Sequence, residues 1–478
     1  MGAMVYKAAG NVYGVKNCTD GRKSENQLLE RSNNWVQILS RAKNFVRNIP
    51  VANAIKNTFE VYCGCLTPVE GCEESRAAFS DWAKHAGMES GQSLAELAAL
   101  LVGVMTWGDC LAVLGSDPYA PPGTVSARLK LIDPLQVETP PKYRNKGIEG
   151  NRRVVLGVAL DKNDIELGYY VRKAGTDGNS DSDYQFFPRY EEKTGRFVSM
   201  LVRAPGSLLP GQVRSFPMLA SSMDIIDVLE QLNESAGIEA KTKSDMSVMI
   251  ESKFPAEADP SSWASDSAEE GGAAKQPEIN LKDLKPGEVI FLPPGTTPHI
   301  INNSGNLELV EQIKQQHKII AGNIGIPYAA MMSDFEKMSF SSSKMMMAKL
   351  FLLVEQWNYG PVMRLFSEIY RCVCLEYYLR KGEIPAPEQL VCNWQSPSQP
   401  DPDPVKSANA DKIRRAEGVK NRTDIVGSKG DDYRDYLLQK KKEIDMEREI
   451  LGVTLDELLG KPRTKKNDED DDDEEDEE

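Results

Sequence analysis

The stretch from Ile319 to Lys349 reads IIAGNIGIPYAAMMSDFEKMSFSSSKMMMAK, and it joins an apolar helix end to a methionine-rich segment through a Gly-Ile-Pro stop and a serine cluster. Pro327 predicts the end of the first helix, because proline lacks an amide donor and disfavours the helical conformation in the preceding residue. The serines at 341–343 predict the start of the next helix, since a serine hydroxyl can accept a hydrogen bond from a first-turn amide. The stretch therefore predicts a loop between two helices, and no set of catalytic residues accompanies it.

The length and charge of the chain narrow the classes of function. With 478 residues the chain is long enough for more than one hydrophobic core. The net charge is −15, but Asp468 to Glu478 are all acidic and contribute −11, which leaves about −4 for the remainder. Such a nearly balanced body lacks the basic excess of proteins that grip nucleic-acid phosphates tightly. Weak, transient contact with DNA remains compatible with it.

The cysteines and apolar runs exclude further classes. The eight cysteines do not form a disulfide framework, and Cys63, Cys65 and Cys72 lack the spacing of a zinc site. The longest apolar run, Leu97 to Trp107, has eleven residues, too few to cross a membrane, and no signal peptide is recognisable at the start. We expect a product of a reducing cytoplasm, with no metal, no cofactor and no membrane segment.

The first half of the chain reads as helices followed by a small sheet. A helical pattern starts at Asn34 and is broken at Pro50, and a second begins at Ser93. Between residues 127 and 190 the hydrophobic period shifts towards two, with turn residues between the runs. This predicts a small mixed or antiparallel sheet.

The second half alternates long helices with short irregular segments. A helix is predicted from about Ala220 to Ile250, and a returning helix from about Leu307 to Ala321, with a short strand in LKPGEVIFLPPGTTPHI between them. A helix of some forty residues follows the serine cluster, and Gly360-Pro361 predicts a kink in it. Helical patterns around 405–417 and 431–451 precede the acidic run.

Five short motifs occur in the order in which lambda-like phage portal proteins carry them. They are Arg41, Arg47, Asn48 and Pro50; Phe79, Trp82, Gly91, Gly108 and Asp109; Pro210, Gly211, Gln212, Arg214, Pro217 and Leu219; Leu284, Pro286, Gly287, Ile290, Leu292, Pro294 and Gly295; and Gly325, Ile326, Tyr328, Asp334, Phe335, Ser341 and Ser342. Ser215 stands where the family usually has glycine. Over roughly residues 40–455 the sequence therefore resembles the lambda-like family of tailed bacteriophage portal proteins.

The resemblance implies an α+β portal fold with a helical wing and crown, a two-helix stem, a small β-containing clip and a tunnel loop before a long kinked helix. The implied boundaries are a mobile arm at 1–30, the wing at 31–219, a stem helix at 220–250, the clip at 251–304, the returning stem helix at 305–325, the tunnel loop region at 326–343, the kinked wing helix and a crossing at 344–400, the crown at 401–460, and a disordered acidic tail at 461–478.

The resemblance also implies a function and partners. Such proteins form a cyclic ring, typically of twelve copies, at one capsid vertex of the virion, and double-stranded DNA passes through it during packaging and ejection. The implied partners are the terminase large subunit, head-tail connector proteins, and the major capsid protein and scaffold, with synthesis in the host bacterial cytoplasm. The chain would not be an enzyme, since the terminase hydrolyses ATP and no Gly-x-x-x-x-Gly-Lys-Ser/Thr loop occurs here.

The resemblance places a DNA-facing tunnel loop after the returning stem helix. Its residues would be Lys337, Met338, Ser339, Phe340, Ser341, Ser342, Ser343 and Lys344. Lys337 and Lys344 flank the loop apex and are candidates for transient phosphate contacts. By themselves, however, the lysines read as ordinary solvated side chains and the serines as a plain helix cap. Met345 to Met347 fit a ring interface or an ordinary core equally well.

Three alternatives remain at this point. One is another ring-forming connector or scaffold component of a virion. A second is a metal-dependent nuclease with Asp133, Asp334 and Glu336 around Mg²⁺, although no carboxylate pair has a diagnostic spacing. The third concerns a local site: the run from Asp177 to Asp183 resembles a calcium loop, but Ser182 and Pro188 stand where glycine and glutamate are needed, which favours a solvated loop.

Overall fold

The computed structural model describes residues 34–89, 91–121, 123–144, 153–207, 210–245, 248–251, 289–292, 306–335, 338–397, 404–427 and 433–451. The predicted arm at 1–30, the acidic tail at 461–478 and nearly all of the predicted clip at 251–304 lie outside these residues. Helices dominate the described part, and short strands form small sheets, so the fold is α+β as predicted.

The helices, in chain order, are α1 (Asn34–Asn48), α2 (Pro50–Tyr62), α3 (Glu73–Ala83), α4 (Leu94–Trp107), α5 (Pro141–Arg144), α6 (Met223–Asp245), α7 (Asn306–Ile324), α8 (Tyr328–Met332), α9 (Phe340–Trp357), α10 (Met363–Lys381), α11 (Pro404–Ala416), α12 (Arg422–Gly427) and α13 (Tyr433–Leu451). Pro50 is the first residue of α2, where its missing amide costs no helical hydrogen bond. The predicted break between α1 and α2 is therefore confirmed.

The strands are β1 (Thr67–Val69), β2 (Cys110–Ser116), β3 (Ala127–Ile132), β4 (Arg153–Val155), β5 (Val158–Leu160), β6 (Glu166–Arg172), β7 (Tyr184–Pro188), β8 (Ser199–Val202), β9 (Val248–Glu251), β10 (Val289–Leu292) and β11 (Asn393–Gln395). An antiparallel sheet has the order β4-β5-β6-β7, and a three-stranded sheet has the order β3-β2-β8. The small sheet predicted at 127–190 is confirmed for β4 to β7, whereas β3, which was predicted to belong to it, lies in the other sheet beside β2. β1 pairs antiparallel with β11, and β9 pairs parallel with β10.

The chain divides into two compact units. The first unit comprises Met1–Cys63, Ala99–Val113 and Leu131–Ser339, and the second unit comprises Gly64–Ala98, Leu114–Lys130 and Phe340–Glu478. In the first unit α1 packs against α2, and the fully buried Ile38 and Leu39 of α1 meet the same core as Ile55 of α2. At the end of α4, Gly108 brings the backbone so close to Leu39 that an added Cβ would lie 3.1 Å from its Cδ2 atom.

The core of the second unit is aromatic. The ring centroid of Phe79 lies 5.1 Å from that of Tyr370 and 5.8 Å from that of Trp394. The Tyr370 and Trp394 centroids are 6.0 Å apart. Pairs at such distances contribute about 0.5–1.5 kcal/mol beyond their buried area. This cluster joins α3, α10 and β11, and Trp82 adds a hydrogen bond from its indole to the Ala127 carbonyl at 2.7 Å.

The long helix of the second unit changes its winding at the predicted kink. Residues Asn358–Val362 form a π-helical turn that contains Pro361 and joins α9 to α10. The buried Asn358 side chain accepts a hydrogen bond from the Gly64 amide at 2.8 Å and donates one to the Ser396 hydroxyl at 2.7 Å. Proline removes one helical donor, and the π turn accommodates that loss without ending the helix.

Three features differ from the sequence prediction. The helix predicted at 220–250 ends at Asp245, and Met249 lies in β9 instead. β2 and β8, which pair from Cys110↔Val202 to Val113↔Ser199, were not predicted. The short helices α3, α5, α8 and α12 and the strands β1 and β11 were also not predicted. Among the described residues, none of the helices combines the length and apolarity that a bilayer crossing demands.

Candidate functional site

The first unit contains a helical hairpin made of α6 and α7. The two helices pack against each other, and the start of α6 lies beside the end of α7, because the Asn323 amide donates to the Ser222 hydroxyl at 2.7 Å. Arg41 of α1 holds the same end in place, since its guanidinium bonds Asp224 at 3.3 Å and also Asp227. The predicted outgoing and returning helices are therefore neighbours.

Burial changes along this hairpin. At the base, the apolar side chains of α6 are fully buried at Met223, Ile226 and Leu229. Farther along, Ile238 of α6 is 67% exposed and Val310 of α7 is 52% exposed, although both continue the apolar pattern. Among the described side chains, the apolar stripe of the hairpin is thus buried at the base and largely exposed at Ile238 and Val310.

His317 marks the point on α7 where burial begins. Its side chain is 8% exposed, and it is followed by the buried Ile320, Ala321 and Ile324. Burial lowers the pKa of His317, because the imidazolium form loses its hydration there. His317 therefore acts as a packing histidine at the base of the hairpin, as its position on an apolar stripe suggests.

The loop after α7 begins with a sharp change of direction. Gly325 has φ = 88°, a left-handed conformation that glycine adopts without steric cost, and Pro327 precedes α8. Ser333 ends α8 in the left-handed region with φ = 54°. The Asp334 amide then donates to the Ala329 carbonyl at 3.1 Å. The Gly-Ile-Pro stop predicted from the sequence is confirmed, and a short helix follows it.

Asp334 is the main electrostatic feature of this loop. The Tyr328 hydroxyl donates to its carboxylate at 3.5 Å. The pKa of Tyr328 is raised, first by burial and then by the neighbouring carboxylate of Asp334. Phe335, the next residue, is 53% exposed. The loop therefore presents an aromatic ring to solvent immediately after a carboxylate whose partner is a neutral phenol.

The predicted tunnel-loop residues lie where the chain passes from the first unit to the second. Lys337 lies outside the described residues. Met338 is half-buried and Ser339 is exposed. Phe340 begins α9, so the serines occupy its first turn: Ser341 and Ser342 are exposed, and Ser343 is half-buried. Lys344 is exposed and has no ion-pair partner among the described residues.

A buried ion pair in the first unit joins two of the sequence motifs. Arg214 and Asp109 are both fully buried, and the Nε and Nη2 atoms of the guanidinium each donate to a carboxylate oxygen at 2.6 Å. The remaining N–H groups donate to the carbonyls of Pro134, Val137 and Leu156 at 2.9–3.0 Å. All five donors of Arg214 are thus satisfied, which is the condition under which a buried charge is tolerated.

The ion pair was not predicted, although both residues were named. Asp109 ends the Gly-acidic pair after α4, and Arg214 lies in the Pro-Gly-Gln-x-Arg motif, 105 positions away. Each is a charged residue in an otherwise apolar or turn-rich stretch. That context is a usable signal, because isolated charges in apolar surroundings are rarely buried without a partner.

The carboxylates considered for metal binding have other partners. Asp133 pairs with Lys43 and also accepts from the Leu135 amide at 2.9 Å. Asp183 closes a turn by accepting from the Ser180 amide at 3.1 Å. Across the part of the chain that the structure describes, no three His, Cys, Asp or Glu side chains converge as metal ligands. Glu336 lies outside that part.

Comparison with solved structures finds similar chains in gene transfer agent particles. The neck of an empty particle, computed with C6 symmetry, matches with a TM-score of 0.39 and 14% identity over 80% of this chain and 90% of that chain. The virion of a native particle matches with a TM-score of 0.39 and 13% identity over 87% of this chain and 93% of that chain. The neck of a native particle, computed with C12 symmetry, matches with a TM-score of 0.39 and 14% identity over 80% of this chain and 91% of that chain.

Comparison with curated proteins finds no match. Comparison with protein families finds one that is described as "Phage portal protein, lambda family", and its model matches residues 16–358. This span covers 343 of the 478 residues, including the α6–α7 hairpin and the loop that follows it. The chain therefore belongs to the lambda family of phage portal proteins.

Proposed function

We propose that this chain forms a cyclic ring, of twelve copies, at one vertex of a phage capsid, and that double-stranded DNA passes through the ring during packaging and ejection. The α6–α7 hairpin and β9–β10 would form the stem and clip, residues 31–219 together with α9 and α10 the wing, and α11 to α13 the crown. The family is structural rather than catalytic, so the chain would act by position and not by chemistry.

The observation that carries this proposal is the change of burial along the α6–α7 hairpin. Burial of an exposed apolar side chain such as Ile238 would stabilise the protein by about 25 cal/mol for each Å² of apolar surface that is removed from water. A head-to-tail ring would cover such positions with a second copy, because each subunit then contributes two different surfaces. The hairpin is therefore suited to contacts between copies at its distal end and to the core of its own chain at the base.

The crown helices support the same proposal. No side chain of α11 or of α12 is buried within the described chain. Val405, Ile413 and Val419 in this region are all more than half exposed. Helices of this kind gain their stability from tertiary packing of an apolar face. Neighbouring copies in a ring would supply that packing.

The loop from Ile326 to Lys344 is proposed as the tunnel loop. Among its described residues, the exposed Ser339, Ser341 and Ser342 and the exposed Lys344 offer polar contacts without a dense array of cations. Each phosphate held by a lysine or arginine adds salt-dependent affinity, which would oppose sliding of the duplex. A sparse polar surface therefore suits a wall along which DNA moves.

The proposed partners follow from the role at the vertex. During packaging the terminase large subunit, which hydrolyses ATP, would dock on the clip, and head-tail connector proteins would take that place later. The major capsid protein and scaffold would surround the wing during assembly in the bacterial cytoplasm. The mature chain would reside in the virion.

Negative-stain microscopy of the purified full-length chain tests the ring. Top-view class averages should show rings with a central hole, and their rotational symmetry should be twelvefold. Particles that remain compact monomers at every protein and salt concentration would contradict the proposal. Incubation with plasmid and Mg²⁺ provides the matching test against a nuclease, and the plasmid should remain intact.

A further inference from the structure

The last part of the second unit is rich in basic side chains. Residues 404–427 contain more basic than acidic side chains, with a net charge of +3. The basic ones are Lys406, Lys412, Arg414, Arg415, Lys420 and Arg422, and the acidic ones are Asp411, Glu417 and Asp424. The first half of α13 adds three consecutive exposed lysines, Lys440, Lys441 and Lys442.

Most of the local carboxylates are already engaged. Asp411 pairs with Lys420 at 2.9 Å and with Arg414 at 3.7 Å. Asp424 accepts a hydrogen bond from the Asn421 amide at 2.9 Å and so caps the start of α12. These carboxylates are therefore not available to neutralise the remaining exposed cations.

We define the basic surface as Lys412, Arg415, Arg422, Lys440, Lys441 and Lys442. All six side chains are exposed, and none has an ion-pair partner within the described ranges. Arg422 of α12 and the three lysines of α13 lie on helices that pack against each other, and Lys412 and Arg415 lie on α11, which directly precedes α12 in the chain. The surface therefore holds six exposed positive charges without an ion-pair partner in the described helices, and it can attract an anionic segment.

We propose that the acidic C-terminal tail of this chain, Asp468 to Glu478, docks on the basic surface. The charges are complementary, since the tail contributes −11. Its tether also reaches: Lys441 lies ten residues before the end of α13, which is about 15 Å along a helix. Sixteen residues separate Leu451 from Asp468, and a chain of that length spans at most about 55 Å.

The charge pattern of α13 favours docking at one end of that helix. Its second half carries Glu443, Asp445, Glu447 and Glu449 against the single Arg448. Like charges repel the tail there, whereas the lysines of the first half and the cations of α11 and α12 attract it. The tail is therefore held on the basic surface and not along the whole helix.

Docking has a consequence for DNA, and this consequence rests on the proposed function. The phosphate backbone of a duplex is the other polyanion that the basic surface would bind, and six cations would bind it in a strongly salt-dependent manner. A tail that occupies the same cations competes with the duplex. The tail would thus keep the crown from holding DNA that must move past it.

Carbodiimide cross-linking of the full-length chain tests the docking directly, because the reagent joins only carboxylates and amines that are in contact. Mass spectrometry should find tail carboxylates joined to Lys440, Lys441 or Lys442 about tenfold more often than to the exposed control lysines Lys162, Lys173 and Lys193, an excess expected from charge pairing. High salt should reduce the excess. An even distribution over the two sets, or no tail cross-links at all, would overturn the proposal.

A double-mutant cycle on DNA affinity separates docking from simple repulsion. In the full-length chain, replacing every Asp of 468–478 by Asn and every Glu by Gln should raise the affinity for a short duplex about tenfold at low salt. In the K440Q/K441Q/K442Q background the same replacement should raise it less than about twofold, since the competed cations are gone. An equal gain in both backgrounds would show that the tail only repels DNA, and docking would be wrong.

The control variant K162Q/K173Q/K193Q removes the same charge from exposed sites in the first unit and should retain the tenfold gain. Loss of the gain in this control as well would assign the effect to net charge and overturn the proposal. Neither measurement depends on ring formation. A chain that forms no rings but shows the specific cross-links would therefore refute the proposed function and leave the docking intact.

Discussion

The surroundings of Arg214 and the distal end of the α6–α7 hairpin differ in how far the same chain buries their side chains. Arg214 is fully buried, and every one of its donors has a partner within the same chain. At the distal hairpin, Ile238 and Val310 continue an apolar pattern but remain largely exposed. The first region is completed when one copy folds, whereas in the proposed ring the second would be covered by another copy. Under the proposed function, the comparison separates residues that determine folding from residues that determine assembly.

The largest expected effect comes from disrupting the buried ion pair of Arg214 and Asp109. Arg214→Met should lower the free energy of unfolding by about 3–5 kcal/mol, because it leaves the Asp109 carboxylate buried without its counter-ion. Thermal and urea unfolding, together with soluble yield, measure the loss. Arg371→Gln is the matched control, since its pair with Glu368 is exposed and should cost about 1 kcal/mol or less. Equal effects of both variants would contradict the role given to burial.

The second effect concerns the exposed apolar side chains of the α6–α7 hairpin. Ile238→Asp should change the free energy of unfolding by about 0.5 kcal/mol or less, because the side chain is already exposed, yet it should abolish ring formation. Light scattering coupled to size-exclusion chromatography measures the molar mass of the assembly, and circular dichroism measures whether the secondary structure is retained. Ile226→Asp, at the buried base of the same helix, should instead unfold the chain. Normal rings from Ile238→Asp would show that the distal hairpin is not an interface between copies.

A third effect is expected at the tunnel loop, which belongs to neither region. Deletion of residues 337–343 should preserve the ring and reduce the DNA that particles package or retain, because the loop is proposed to contact the duplex and not a neighbouring copy. Electron microscopy of the rings and quantification of the DNA in each particle provide the two readouts. Loss of the ring itself would show that the loop has a structural role.

The smallest effect lies at His317, on the border between buried and exposed parts of the hairpin. Its pKa is lowered by burial, so the folded state stays neutral at pH values where the unfolded histidine, with a pKa of about 6.5, binds a proton. Stability should therefore fall as the pH drops below about 6.5. The decrease in Tm between neutral and mildly acidic buffer should be larger for the natural chain than for His317→Gln. An identical decrease in Tm for both chains would show that His317 does not cause the pH dependence.

The sequence predicts most helices of this chain because their signals are local. Pro50 begins a helix, Gly325 and Pro327 end one, and Gly360-Pro361 marks a change of winding, each for a steric or hydrogen-bonding reason that needs no distant partner. The small mixed or antiparallel sheet also follows from local periodicity, and the α+β class follows from the family resemblance. The family resemblance follows from the order of the motifs and is confirmed by the family match.

The remaining features depend on contacts between distant residues. β2 carries the continuous apolar run CLAVLG, whose periodicity does not distinguish a buried strand from a helix. α6 ends at Asp245 and β9 follows, and β9 pairs with β10 about forty positions later in the chain, so the helical period of this segment does not reveal where the helix ends. The pairing of Asp109 with Arg214 bridges 105 positions, so neither motif reveals it alone.

The π turn at Asn358–Val362 determines which way every side chain of α10 points. A π turn uses one residue more than an α-helical turn for about the same rotation, so the extra residue is absorbed locally and α10 keeps its phase. If the same residues wound as a plain α-helix, everything after the turn would rotate by about 100°, and Phe366 and Tyr370 would leave the aromatic core. Deletion of one residue within this turn should therefore be tolerated better than a deletion elsewhere in α9 or α10, because the turn can close as an α-helix with the aromatic face in place.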